Sequence, residues 1–201
     1  MKHCYKILFL LVNILFAQTH QSTHQIQSKY YNTIALPPVD KIPVRTGLDI
    51  LLDSKIDLIT GKMIALVTNQ TGIDQNGNPN YKRLMSMDEI KLKVVFSPEH
   101  GLFGEADKEI TYANQIEDLP KVYSLYGSTR KPTKEMLDGI DMIIYDIQDI
   151  GARFYTYIST LGLVMEAAAE LNIPIIVLDR PNPIRSDIVE GPILDLKYQS
   201  F

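Results

Sequence analysis

Four short apolar runs constrain the fold of this chain more than any other feature. They are Lys62–Asn69 (KMIALVTN), Val94–Phe96 (VVF), Asp141–Asp146 (DMIIYD) and Ile173–Leu178 (IPIIVL), and each breaks off into polar or proline-bearing sequence. Runs of this length bounded by turn residues read as buried strands. The first is continuously apolar rather than alternating, the habit of a strand covered on both faces. Helical spacing fills the intervals. Leu84, Met87 and Ile90 recur within Tyr81–Ile90, and Leu161, Val164, Met165, Ala168 and Leu171 form one stripe over Tyr157–Asn172. Strands alternating with helices predict an α/β fold, a mostly parallel sheet with right-handed crossovers. Smaller elements join these: a short amphipathic helix at Leu48, Leu51 and Leu52, a further strand within Val122–Gly127, and a helix over Lys134–Leu137 capped by Thr133.

The polar residues gather at the carboxyl ends of the four runs: Asn69, then Glu99 and His100, then Asp146, Asp149 and Arg153, then Asp179, Arg180 and Asn182. In a parallel sheet those ends share one rim, and the crevice beyond that rim is where ligands bind. Plainer readings stand beside this one. Glu99 could cap a turn while His100 packs on its loop, Asp149 and Arg153 could form a structural salt bridge, and Asp179 and Arg180 could neutralise each other.

Elimination narrows the chemistry. No G-x-G-x-x-G turn follows the first strand and no G-x-x-x-x-G-K-[ST] loop is present, so nothing cradles phosphate. The nucleophile elbow G-x-S-x-G is missing too, since Ser97 stands before Pro98. His100 is the one histidine of the folded part, too few for a zinc site built on histidines. The stretch D-Q-N-G-N-P-N (Asp74–Asn80) lacks the alternating acids and distant Glu of a calcium loop and reads as a plain turn. Carboxylates, amides, arginines and the tyrosines Tyr145, Tyr155 and Tyr157 remain. They suit sugar chemistry, in which a glycosidic oxygen needs a proton donor and an oxocarbenium-like transition state needs negative charge nearby. Neither a metal nor a cofactor is expected.

The amino end reads as a secretory signal over residues 1–17. Lys2, His3 and Lys6 precede the apolar run Ile7–Phe16, and Ala17 offers a small residue before a cut. A secreted or periplasmic protein with no membrane contact after cleavage follows. Residues 18–43 are polar, carry His20 and His24, and end near Pro37-Pro38, the composition of a disordered leader. The lone cysteine, Cys4, departs with the signal, which removes disulfides and thiol chemistry. Cleavage also leaves 18 Lys+Arg against 24 Asp+Glu, a charge of −6. That balance argues against a nucleic-acid partner. Export itself argues against a nucleotide cofactor. Residues 44–201 form the folded part, with the charged stretch Glu105–Asp118 long enough to be a binding loop.

Six ordered motifs carry a resemblance: T-N-Q-T-G (Thr68–Gly72), F-S-P-E-H-G-L-F-G (Phe96–Gly104), V-Y-S-L-Y-G (Val122–Gly127), D-I-Q-D-I-G-A-R-F-Y-T-Y-I-S-T-L (Asp146–Leu161), L-D-R-P-N-P (Leu178–Pro183) and E-G-P (Glu190–Pro192). Together they closely resemble the NamZ-type exo-β-N-acetylmuramidases. The resemblance implies a Rossmann-like domain joined to a second domain, with the active site in the cleft between them. It also implies release of N-acetylmuramic acid from the non-reducing end of peptidoglycan fragments, with Glu99 as catalytic acid. Asp146 and Asp149 are the candidates for its catalytic partner, and Asn69, His100, Arg153, Tyr155 and Asn182 are candidate substrate-binding groups. Arg180 is a candidate for the lactyl carboxylate that distinguishes muramic acid, since a bidentate arginine suits a carboxylate.

Two departures qualify this. Members of the family run to nearly twice this length, so a C-terminal domain is expected that this chain does not carry, and Asn182–Asp187 lacks the glycine usual after N-P-I. A non-catalytic peptidoglycan- or sugar-binding module is therefore the alternative. An amidase or esterase lacks the serine, cysteine or zinc nucleophile it would need.

Overall fold

The computed structural model describes residues 44–104 and 118–199; the signal segment, the leader and most of the charged loop after Gly104 lie outside the described residues. The strands are β1 (Met63–Thr68), β2 (Lys91–Ser97), β3 (Lys121–Ser124), β4 (Met142–Asp146) and β5 (Ile175–Val177), and the α-helices are α1 (Gly47–Ser54), α2 (Asn80–Met85) and α3 (Tyr157–Leu171). All strand pairs are parallel, in the order β3-β2-β1-β4-β5. The chain works outward from β1 to β3, then returns to lay β4 on the other side of β1. That reversal makes β1/β4 the switch point of the sheet.

Alternate residues of a strand face opposite sides, and both sides here are covered. Ile64 and Leu66 of β1 join Leu48, Leu51, Val95 and Ile144 in one core layer. Ala65 and Val67 join Val94, Phe96, Ile143, Val164 and Ala168 in the other. Two covered faces explain the unbroken apolarity of β1, whose residues from Ile64 onward are all buried. Among the described residues no helix is long and apolar enough to cross a membrane.

Helix α1 is short but well anchored. Thr46 caps it in a reciprocal capping box with Asp49. Its first residue must be glycine, because a Cβ on Gly47 would lie 2.5 Å from the Asp179 backbone nitrogen. The same residue donates its N–H to the Asp179 carbonyl at 2.7 Å. Asp49 is buried and also accepts the Gln75 N–H at 3.0 Å. Asp74 accepts the N–H groups of Asn76 and Asn78 at 2.9 and 2.8 Å, so the D-Q-N-G-N-P-N stretch folds as a turn around its own carboxylate.

Burial alone would raise both carboxyls, but hydrogen bonds from Gln75 and Thr46 to Asp49, and from Asn78 and Asn76 to Asp74, bring each below its usual value of 3.8. A carboxyl that titrates lower when folded adds stability that is complete above its unfolded pKa and drains away as pH falls through its folded one. The expected outcome is a thermal midpoint that falls as pH drops below about 3.8, and Asp49→Asn together with Asp74→Asn should flatten that part of the pH–Tm curve.

Four local expectations need correction. Lys134–Leu137 is a series of turns, not a helix; so few residues between Pro132 and a left-handed Gly139 cannot offset the cost of nucleation. Helix α2 stops at Met85, with turns carrying the chain on to Ile90. On α3 the buried side is Tyr157, Thr160, Val164, Ala167 and Ala168, while Met165 is 49% exposed. The last strand is three residues long, an edge strand with Val177 exposed rather than a fully covered one.

Candidate active site

The switch point is occupied by the protein's own polar side chains. Asp146, at the end of β4, is fully buried and pairs with Arg180, whose side chain is 6% exposed. Nε reaches Oδ1 at 2.7 Å and a terminal nitrogen reaches Oδ2 at 3.0 Å, a two-point contact. Asn80 donates to the same Oδ2 at 2.7 Å and to Thr68 Oγ1 at 2.7 Å, while its own Oδ1 accepts the Tyr81 N–H. Thr68 in turn donates to the Asp146 carbonyl at 2.9 Å. Gly72 makes this knot possible, since a Cβ there would stand 2.2 Å from both Asn80 Nδ2 and Thr68 Oγ1. Arg180 also donates to the Ile73 carbonyl at 3.1 Å. Every charge in the knot is paired and hydrogen-bonded, the condition under which charge can be buried.

A second polar group lies at the ends of β1 and β2 and the start of α3. Asn69 is 2% exposed; its Oδ1 accepts from the Thr71 backbone at 2.9 Å and hydroxyl at 2.5 Å. Those bonds fix which way the amide points and leave Nδ2 buried without a partner of its own in hydrogen-bond geometry. Thr71 continues the link by accepting the Gln148 N–H at 2.9 Å.

Beyond β2 the chain turns sharply over Pro98–Gly101, closed by the Gly101 N–H to the Pro98 carbonyl at 3.0 Å. His100 is held there at φ 68, a left-handed conformation uncommon for a residue with a Cβ. The turn is pinned beneath by Leu102, which is buried, and beside by Gln70, whose side chain fills the place of a Cβ on Gly104. Glu99 is thereby set half-buried on the rim, and Thr156 donates its hydroxyl to Glu99 Oε2 at 2.8 Å. Thr156 is the N-cap residue of α3 yet makes no capping bond to its own helix. A threonine there ordinarily adds about 1 kcal/mol by capping; this one holds the glutamate instead.

Tyr157, the first residue of α3, is buried beside this group. Burial pushes its phenol above the ordinary tyrosine range, the Asn69 amide draws it back, and Tyr155 and the charge of Glu99 push it up again. Its ring meets Tyr155 edge-on at 5.9 Å, and Tyr155 meets Phe154 at 5.4 Å. Tyr145 donates to the Tyr157 carbonyl at 2.8 Å, and its phenol is raised too, by burial first and then by Asp149 and Tyr157.

The remaining residues read from sequence sit around this group. Asp149 Oδ1 accepts the Gly151 N–H at 2.6 Å, and Arg153 donates to the Pro192 carbonyl at 2.5 Å, so no salt bridge joins those two. His100 is exposed. Asn182 is packed against Gly151, where a Cβ would come within 2.4 Å of its side chain. Arg180 pairs with Asp146 rather than with Asp179. Thr68, Thr71, Asn80, Gln148 and Thr156 were not singled out from sequence. For Thr156 a signal existed, a hydroxyl residue at the head of the longest helix, but it pointed to capping.

A family model described as "Exo-beta-N-acetylmuramidase NamZ, N-terminal" matches residues 64–201. The chain is similar to the peptidoglycan beta-N-acetylmuramidase NamZ of Bacillus subtilis (strain 168), with 46% identity over 164 residues, or 80% of this chain and 39% of that protein. Two crystal structures of DUF1343 family proteins from Bacteroides fragilis share its fold. One has a TM-score of 0.67 and 45% identity, covering 77% of this chain and 39% of that one. The other has a TM-score of 0.62 and 33% identity, covering 78% and 40%. The chain thus spans about two-fifths of the length of each relative.

Proposed function

This chain belongs to the NamZ exo-β-N-acetylmuramidase family, and on that premise we propose an exported, exo-acting glycoside hydrolase that releases N-acetylmuramic acid from the non-reducing end of peptidoglycan fragments. Glu99 is its general acid. The observation that carries this role is the contrast between the two rim carboxylates. Both oxygens of Asp146 are committed inside the knot, whereas Glu99 is half-buried, oriented by one hydroxyl and bordered by tyrosines. A proton donor to a glycosidic oxygen must be positioned and still open to substrate.

Asp149, half-buried on the next loop, is the second carboxylate we assign to the reaction, with Asp146 holding Arg180 and the loops in place. His100, Arg153, Tyr155 and Asn182 are the binding groups on this side of the cleft, with the buried Asn69 as a further candidate behind them. Arg153, on the exposed turn, suits the lactyl carboxylate better than the buried Arg180 does. Export rests on the basic and apolar segment before Ala17.

The test is incubation of the full-length protein with the disaccharide N-acetylmuramyl-N-acetylglucosamine, following free sugars by mass spectrometry. Release of both monosaccharides supports the assignment. Saturable binding with no product would instead mark a sugar-binding module, and neither binding nor product would refute both.

A further inference from the structure

We propose that Thr156 is a positioning residue for proton transfer, holding Glu99 so that Oε1 delivers the proton while Oε2 takes up the charge left behind. This deepens the glycosidase reading and rests on it. Helices α1 and α3 both begin on a threonine, and the two are used differently. Thr46 accepts from Asp49 and closes a capping box, whereas Thr156 makes no capping bond to α3. A capping residue normally has extended backbone, as Thr46 does at φ −73, ψ 164; Thr156 lies at φ −84, ψ −8, already helical. The third helical residue is Ser159, so no Glu or Gln stands where a box would need one. Released from that duty, the hydroxyl spans 57 residues of sequence to Glu99 Oε2 at 2.8 Å.

The donor is clamped on both sides. The Thr156 carbonyl accepts the Thr160 N–H at 3.0 Å and its hydroxyl at 3.3 Å, and Thr160 is buried. The Tyr157 carbonyl accepts the Tyr145 hydroxyl at 2.8 Å, and the turn before Thr156 closes through the Tyr155 N–H on the Ala152 carbonyl at 3.1 Å. A half-buried glutamate side chain has several rotamers to lose, and a bond from so fixed a donor selects one. That bond engages Oε2, which leaves Oε1 to carry the transferable proton. When Oε1–H gives its proton to the glycosidic oxygen, the C–O bonding pair departs with the leaving sugar and the O–H pair stays on the carboxylate. Water, the co-substrate of hydrolysis, completes the sugar carbon. The new negative charge spreads over both carboxylate oxygens, so Thr156 passes from bonding a neutral carboxyl to bonding an anion, a contact about twice as strong. A bond that strengthens during the step lowers its barrier rather than only aiding binding.

The experiment uses full-length protein as wild type, Thr156→Val, Thr156→Ser and Glu99→Gln. The substrates are the disaccharide N-acetylmuramyl-N-acetylglucosamine and the para-nitrophenyl glycoside of N-acetylmuramic acid. On the disaccharide Thr156→Val should lose about 10- to 100-fold in kcat, the scale of one hydrogen bond to a charged group, with KM nearly unchanged. Thr156→Ser should regain most of that loss. The nitrophenyl group departs with little need of a proton, so on that substrate the loss should shrink severalfold. A wild-type kcat in Thr156→Val overturns the positioning role while the glycosidase reading stands. Equal loss on both substrates also overturns it, as the mark of a general structural defect. Should Thr156→Val not fold, Thr156→Ala against Thr156→Ser carries the same comparison. Full disaccharide turnover by Glu99→Gln, or none by the wild type, overturns the parent reading and this one with it.

Discussion

Glu99→Gln is expected to lower disaccharide turnover by about 100- to 10,000-fold, the range that a positioned general acid contributes. The substitution keeps the shape and the acceptor oxygen that meets Thr156, so the thermal midpoint and the dissociation constant for the disaccharide should change little. What it removes is the transferable proton. The loss should therefore fall on kcat, not on KM. An aryl glycoside with a good leaving group needs less protonation, so the variant should recover part of its rate on such a substrate. Full activity of Glu99→Gln on the disaccharide would end the assignment. A large fall in stability would instead make Glu99 a structural residue.

The second large effect is on folding. Removing one member of a buried ion pair leaves an uncompensated charge and costs about 3–5 kcal/mol, a large share of the roughly 5–15 kcal/mol that holds a domain together. Arg180→Met does this to Asp146, which is fully buried and would keep only Asn80 as a side-chain donor. The variant should unfold at markedly lower denaturant concentration with an unchanged slope. The double variant Asp146→Asn, Arg180→Met removes both charges. It should be more stable than Arg180→Met alone, giving a coupling of the kind double-mutant cycles measure between contacting residues. Strict additivity of the two changes would show that the pair is not a unit.

The sheet was legible because its signal is local. A strand buried on both faces must be apolar throughout; β1 and β4 lie within the runs that showed this, while β2 extends three residues ahead of its run, where the chain is not buried, and one beyond it. Short helices were overread for the opposite reason. Helical spacing over a few residues says which face would be buried, not whether the segment is long enough to form, and α2 and the turns near Thr133 show the difference.

The rim was legible as a place and much less so as a set of partnerships. Asp179 and Arg180 are neighbours in sequence, yet Arg180 turns to a carboxylate 34 residues away. Asn80 looked like the end of a turn, but its two amide protons go 12 and 66 residues back and forward along the chain. Thr156 stood where a cap belongs and bonds 57 residues away. Side-chain pairs at such separations leave no periodic trace, so only the folded sheet reveals which polar ends interlock and which stay open.

The interlock at the β1/β4 boundary also bears on what this scaffold can become. Doubly wound proteins that harbour dinucleotides keep that spot hollow, whereas here it is stoppered from within by Thr68, Asn80, Asp146 and Arg180. Grafting a nucleotide pocket onto this chain would first require pulling out a plug on which its own stability depends. Substitutions on the outer lip that carries Glu99 and Thr156, by contrast, would leave that plug untouched, so the lip can vary while the fold holds.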